Sequence, residues 1–186
     1  MAAAFPGYFE TQQQARCGLH AMRNAIGQQL FTAEDLKEAC DRYIADKAAV
    51  DGLQDGEEAS WHSAPSGWYS IEVMAFTLRN THLFFGAGAP TWAVVLAELR
   101  HNEAVFHEPG VVGAVSNWPG HWVAIRKEGG QAWLLDSLSR PRLLTPASLS
   151  AFFKRWPLTY AVRRDGAPHE EPDFRDAAVP LEEGAP

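Results

Sequence analysis

The sequence predicts an α+β fold, with helices first and an antiparallel sheet after them. Three observations carry this expectation. Apolar residues recur at helical spacing through most of the first hundred positions. Beyond Gly110 the apolar positions alternate with period two. Two alternating runs, residues 121–127 and 131–137, flank Gly129-Gly130, a strong hairpin signal.

The chain has 186 residues, of which 46% are hydrophobic, with seven Trp and ten Phe, so one domain with a sizeable core is expected. No apolar run approaches the ~20 residues of a membrane span. The opening Met1-Ala2-Ala3-Ala4-Phe5-Pro6 lacks the charged start and apolar core of a signal peptide. Two cysteines make no disulfide framework, which favours a reducing compartment, cytoplasmic or nuclear. The net charge of −7 sits almost entirely in residues 165–186, with seven acids against Arg175 alone. The rest is nearly neutral and offers no basic face for nucleic acid. This Pro-containing acidic stretch reads as a solvated, disordered tail on a domain spanning residues 5–164.

In order, residues 12–26 read as a polar loop running into a helix with Cys17 at the junction. Thr32 caps a second helix over about 33–47, whose stripe Leu36, Ala39, Cys40 and Tyr43 makes Cys40 a packing residue. Turn signals fill residues 51–67. Ser70 caps a third helix carrying Ile71, Met74, Ala75 and Leu78. Residues 81–85 read as a short strand, and Thr91 as the cap of a fourth helix through Trp92, Val95, Leu96 and Leu99. Residues 110–118 form a strand and the Gly129-Gly130 hairpin follows. Thr145-Pro146 opens another helix with Leu149, Phe152 and Phe153, and residues 158–164 close the chain's ordered part as a strand.

Cys17 carries the chemical interest. A helix N-terminus has unpaired N–H groups and roughly half a positive charge, which drives a thiol toward the nucleophilic thiolate. The loop before it supplies carboxamides able to hold an oxyanion. The plainer alternative is a buried, inert helical cysteine, and a disulfide to Cys40 would silence the thiol. The hairpin bears on this choice. With a two-residue loop, Glu128 faces Gln131, His121 faces Leu138 and Val123 faces Asp136. Asp136 then lies diagonal to His121 on the same face, where Cβ atoms stand ~7–8 Å apart; a three-residue loop would separate them. A cysteine nucleophile needs a base, and the base an orienting acceptor. Cys17, His121 and Asp136 supply all three. Taken singly, His121 is equally a half-buried strand histidine and Asp136 a strand-end cap, although a carboxylate after Trp133-Leu134-Leu135 needs a partner. His20 makes Cys-x-x-His with Cys17, but no second pair has ligand spacing, so no metal is expected and His20 reads as a local hydrogen-bonding residue. The other histidines, among them His62, have no assignable partner. Trp122, next to His121, points to the opposite face and reads as core, while Trp118 reads as a wall of the cleft.

These motifs resemble the Josephin domain. Gln12, then Cys17-Gly18-Leu19-His20 and Arg23-Asn24, resembles its opening, and residues 31–36 its next helix. Trp68-Tyr69-Ser70-Ile71-Glu72-Val73 resembles its central segment. Residues 120–126 resemble its His-Trp strand, and residues 133–138 its Asn/Asp-Ser strand. The resemblance implies a papain-like cysteine protease fold that hydrolyses ubiquitin conjugates after the C-terminal Gly-Gly through a thioester. It implies Cys17 as nucleophile, His121 as base, Asp136 as orienter, and Gln12 as oxyanion donor with the Cys17 N–H. Gln13 and Gln14 stand beside Gln12. It further implies ubiquitin as partner and a helical arm between about Thr32 and His62; apart from the resemblance, no cofactor and a monomer are expected. A cysteine hydrolase or acyltransferase on another amide or ester, and a weakly catalytic ubiquitin-binding module, are the alternatives.

Overall fold

The computed structural model describes residues 4–12, 16–51, 62–63, 68–118 and 120–165. Helices α1 (Cys17–Ile26), α2 (Ala33–Asp51), α3 (Ile71–Arg79) and the single turn α4 (His82–Phe85) come first. There follow β1 (Trp92–Glu98), the turn α5 (Ala104–His107), β2 (Val111–Trp118), β3 (His121–Glu128), β4 (Gln131–Leu135), β5 (Arg142–Leu144), α6 (Pro146–Arg155) and β6 (Thr159–Arg164). The strands form one sheet in the order β1-β6-β2-β3-β4-β5, with every pair antiparallel. This is the α+β arrangement the sequence predicts. No described helix is long and apolar enough to cross a membrane.

Both faces of the sheet are covered. Met22 and Ala25 of α1 pack with Trp122, Ala124, Trp133 and Leu135 on one face. Leu149, Phe152 and Phe153 of α6 and Phe106 of α5 pack with Val123, Ile125 and Leu134 on the other. The run Trp122-Val123-Ala124-Ile125 is therefore apolar at successive positions because β3 is central and buried on both sides. The helix starts follow local chemistry. Thr32 Oγ1 accepts from the Asp35 N–H at 3.1 Å while Asp35 Oδ2 accepts from the Thr32 N–H at 2.6 Å, a reciprocal cap. Ser70 caps α3 and Thr145 caps α6, with Pro146 in its first turn.

Two expected elements differ. The segment predicted as a fourth helix is strand β1. Its Trp92 and Val94 turn to the α1 face while Val95 turns to the α6 face, so its short apolar run satisfied either period. Pairing with β6, from Trp92 against Arg164 to Val95 against Ala161, decided it. Thr91, expected as a cap, instead accepts the Asp165 N–H through its carbonyl at 2.9 Å. Residues 81–85, expected as a strand, form α4: Thr81 is helical in φ and ψ, its carbonyl accepts from Phe84 and Phe85, and Phe84 packs edge-on to Phe31. Helix α2 runs four residues past the expected 47, with Lys37–Asp41 and Glu38–Arg42 pairs on its exposed face. The later part of the expected arm, residues 52–61, lies outside the described residues, as do residues 166–186 of the expected tail.

Candidate active site

Cys17 is the first residue of α1, and Arg16 before it supplies no side-chain cap. The helix end therefore offers its N–H groups and positive dipole directly to the sulfur. The thiol is buried, which pushes its pKa up, but a hydrogen bond with His121 and the backbone amides of Trp122 and Gly18 outweigh burial and hold it below the ordinary thiol range. Cys40 makes the contrast. It is buried in α2, and burial pushes its thiol up despite a hydrogen bond with Ser63. Both cysteines are free.

His121 opens β3, and its Nε2 lies 2.9 Å from Asp136 Oδ1. With Nε2 so engaged, Nδ1 is the ring nitrogen left for the hydrogen bond with Cys17. The bond with Cys17 raises the His121 pKa and, with Asp136, overcomes the opposing effect of burial. The β3–β4 ladder has the register of a two-residue loop, from Glu128 against Gln131 to Ala124 against Leu135. Asp136 is the first residue past its end and begins a turn. The turn anchors the carboxylate: the Leu138 N–H donates to Oδ1 at 2.9 Å and Ser139 Oγ to Oδ2 at 3.3 Å. By alternation His121 belongs to the α6 face, whereas Cys17 packs within the α1-face core, so the two meet around the end of β3.

Gln12 joins the same turn. Its N–H donates to the Ser137 carbonyl at 2.8 Å, and Ser137 Oγ donates to its Oε1 at 3.2 Å. Gln13 and Gln14 lie outside the described residues. The segment bearing Gln12 is fastened to the helix by Glu10, which sequence reasoning missed. Asn24, fully buried in α1, accepts the Glu10 N–H at 2.9 Å through Oδ1 and donates to the Glu10 carbonyl at 3.2 Å. The Glu10 carboxylate meets His20 Nδ1 at 2.6 Å, Arg23 Nη1 at 3.1 Å and the Tyr8 hydroxyl at 2.7 Å. Burial raises its pKa, but these partners together hold it below the usual carboxylate range. The legible signal was the polar stripe His20, Arg23, Asn24 on one side of a buried helix, which needed a partner from elsewhere in the chain. His20 is thus a hydrogen-bonding residue. His62, for which the sequence offered no partner, is buried with its Nδ1 2.9 Å from Ser70 Oγ and its ring edge-on to Tyr43.

Trp122 is buried, and its Nε1 donates to the Tyr69 carbonyl at 2.8 Å, tying β3 to the start of α3. Trp118, opposite His121 in the ladder, stacks on Trp156 at 4.8 Å and sets its ring 6.4 Å from the imidazole. A cavity of about 280 Å³ beside this end of the sheet is lined by Trp68, Ile71, Asn117, Trp122, Leu158 and Tyr160. A larger one, about 380 Å³, lies under α6 and the hairpin among Phe106, Lys127, Leu144 and Leu149. It shares no residue with Cys17, His121 and Asp136, and we assign it no part in the chemistry.

Comparison with known proteins places the chain among relatives of one family. The family model for Josephin matches residues 12–159. The chain is similar to the ataxin-3 homolog of Caenorhabditis briggsae, 28% identical over 154 residues that cover 80% of this chain and 45% of that protein. It is similar to the ataxin-3 homolog of Caenorhabditis elegans, 25% identical over 150 residues covering 78% and 44%. Human Josephin-2 is 27% identical over 149 residues, covering 72% of this chain and 69% of that protein. The chain thus spans less than half the length of the nematode relatives.

Proposed function

The chain belongs to the Josephin family, and on that premise we propose that it is a cysteine-dependent deubiquitinase acting after the C-terminal Gly-Gly of ubiquitin. The observation that carries the reading is the hydrogen-bonded series Cys17, His121, Asp136, with the thiol driven down and the imidazole driven up. That pairing favours thiolate beside imidazolium, the state a cysteine nucleophile needs. In this reading the Cys17 thiolate adds to the carbonyl carbon after Gly-Gly. The oxyanion is held by the Gln12 carboxamide and the Cys17 N–H. His121 gives its proton to the leaving amine as the tetrahedral intermediate collapses to a thioester. It then takes a proton from the water that cleaves the thioester, and collapse expels the Cys17 thiolate, releasing the ubiquitin carboxylate and restoring the thiolate–imidazolium pair. Asp136 keeps the ring aimed through both steps. Residues 5–164 form the catalytic domain, ubiquitin or a ubiquitinated protein is the partner, and a reducing compartment keeps the thiol active.

The test is labelling by ubiquitin that bears a C-terminal thiol-reactive electrophile. Wild type and Cys40→Ala are expected to be labelled, and Cys17→Ala is not. Labelling that follows Cys40 instead would refute the site. A Cys17 that reacts with iodoacetamide but never with the ubiquitin probe would refute the substrate and point to another amide or ester.

A further inference from the structure

We infer that Ser137 is a positioning residue for the oxyanion donor, selecting which end of the Gln12 carboxamide faces the reacting carbonyl. The inference rests on the reading of Gln12 given above. A carboxamide is ambiguous, since one end accepts and the other donates, and the two are nearly the same shape. An oxyanion hole works only if the NH2 end is presented before the charge develops. The backbone around Gln12 is fastened on two sides. Two residues earlier, Glu10 is clamped at its N–H and carbonyl by Asn24. At Gln12 itself, the N–H donates to the Ser137 carbonyl at 2.8 Å. The side chain is held in addition to the backbone. The Ser137 hydroxyl, on a residue only 4% exposed, donates to Gln12 Oε1 at 3.2 Å. An oxygen held there makes Nε2 the end that turns to substrate.

The same turn also holds Asp136 by the Leu138 N–H and Ser139 hydroxyl. One four-residue stretch, residues 136–139, therefore sets both the imidazole orienter and the oxyanion donor. Serine suits this position because its hydroxyl donates at short reach and its loss leaves the backbone bond to Gln12 intact.

The test is a double-mutant cycle on Ser137→Ala and Gln12→Ala, read with ubiquitin carrying a C-terminal fluorogenic amide, alongside iodoacetamide reactivity of Cys17. Loss of one oxyanion donor typically lowers kcat ~10²–10³-fold. Ser137→Ala is expected to lower kcat by about tenfold or more, with KM and the rate and pH profile of Cys17 alkylation unchanged. In the Gln12→Ala background it is expected to add nothing. Losses that multiply in the double variant would overturn the inference while leaving Gln12 as donor. So would an unchanged kcat, or an alkylation rate that falls in step with kcat, since the hydroxyl would then serve the fold or the Cys–His pair. If Gln12→Ala alone turns over normally, the donor assignment itself fails and this inference falls with it.

Discussion

Gly113 sets how closely α1 approaches the sheet, and Gly113→Ala is a direct test of how the thiol reaches the histidine. A Cβ there would lie inside the contact envelope of the Ile125 carbonyl oxygen, 3.0 Å from the Ala25 carbonyl of α1 and 3.3 Å from Arg126 Cα. All three neighbours are backbone, so no rotamer relieves the overlap. Overpacking of this kind costs ~1–3 kcal/mol, and the rigid surroundings put this site at the upper end. For a chain of this size each kcal/mol is worth about 2–4 °C in Tm, so a fall of roughly 6–12 °C is expected. Relief requires α1 to give by a few tenths of an ångström at Ala25, and β2 to part from β3 by more than that at the Ile125 carbonyl; Cys17 moves with α1. Misplacement by 1 Å can cost ~10²-fold, so the smaller shift predicts a loss in kcat/KM on the order of tenfold. Gly88→Ala is the control: its Cβ would meet nothing within 4 Å and its φ is not in the left-handed region. It is expected to be neutral or to stabilise by up to about 1 kcal/mol. Thermal melts by circular dichroism, paired with turnover of the fluorogenic ubiquitin amide, read both effects. A Gly113→Ala protein that melts and turns over like Gly88→Ala would refute the claim that this contact seats the helix.

Four further outcomes follow from the site. Trp122→Ala is expected to destabilise by ~3–5 kcal/mol, as for a large buried aromatic, because the ring fills the α1-face core and donates to Tyr69. A variant that melts like wild type but accepts C-termini bulkier than Gly-Gly would show instead that the ring gates the cleft. The rate of Cys17 alkylation against pH is expected to persist below the ordinary thiol pKa of ~8.5, since the thiol is shifted down and protonates only below that range. In His121→Ala the largest downward influence is gone while burial remains, so the profile moves up toward ~8.5; an unmoved profile would refute the pairing. On the alkaline side, turnover is expected to fall only above the usual ~6.5 of histidine, because the raised imidazolium keeps its proton longer. Asp136→Asn is expected to retain more activity than Asp136→Ala, since Asn still accepts from His121 and from the Leu138 N–H. Equal loss in both, measured as kcat, would show that the carboxylate charge is required.

Local chemistry made much of this protein legible in its sequence. The caps at Thr32, Ser70 and Thr145 act within one turn, and the Gly129-Gly130 loop sets its own register. That register alone brings Asp136 toward His121, because a ladder propagates from its turn. What was not legible depended on partners distant in the chain. Residues 92–98 have an apolar run that suits helix or strand, and β6, some seventy residues later, decided between them by offering a ladder. Thr81 reads as a strand start, but the end of α3 and the packing of Phe84 on Phe31 carry the helical turn onward. The polar stripe of α1 announced a need that only tertiary structure met, with Glu10 as its partner. The hydrogen bond from Ser137 to Gln12 spans 125 positions and left no local trace. Sequence patterns report what one element requires of its surroundings; which residue answers is decided by long-range packing, where burial makes an unpaired polar group too costly to leave.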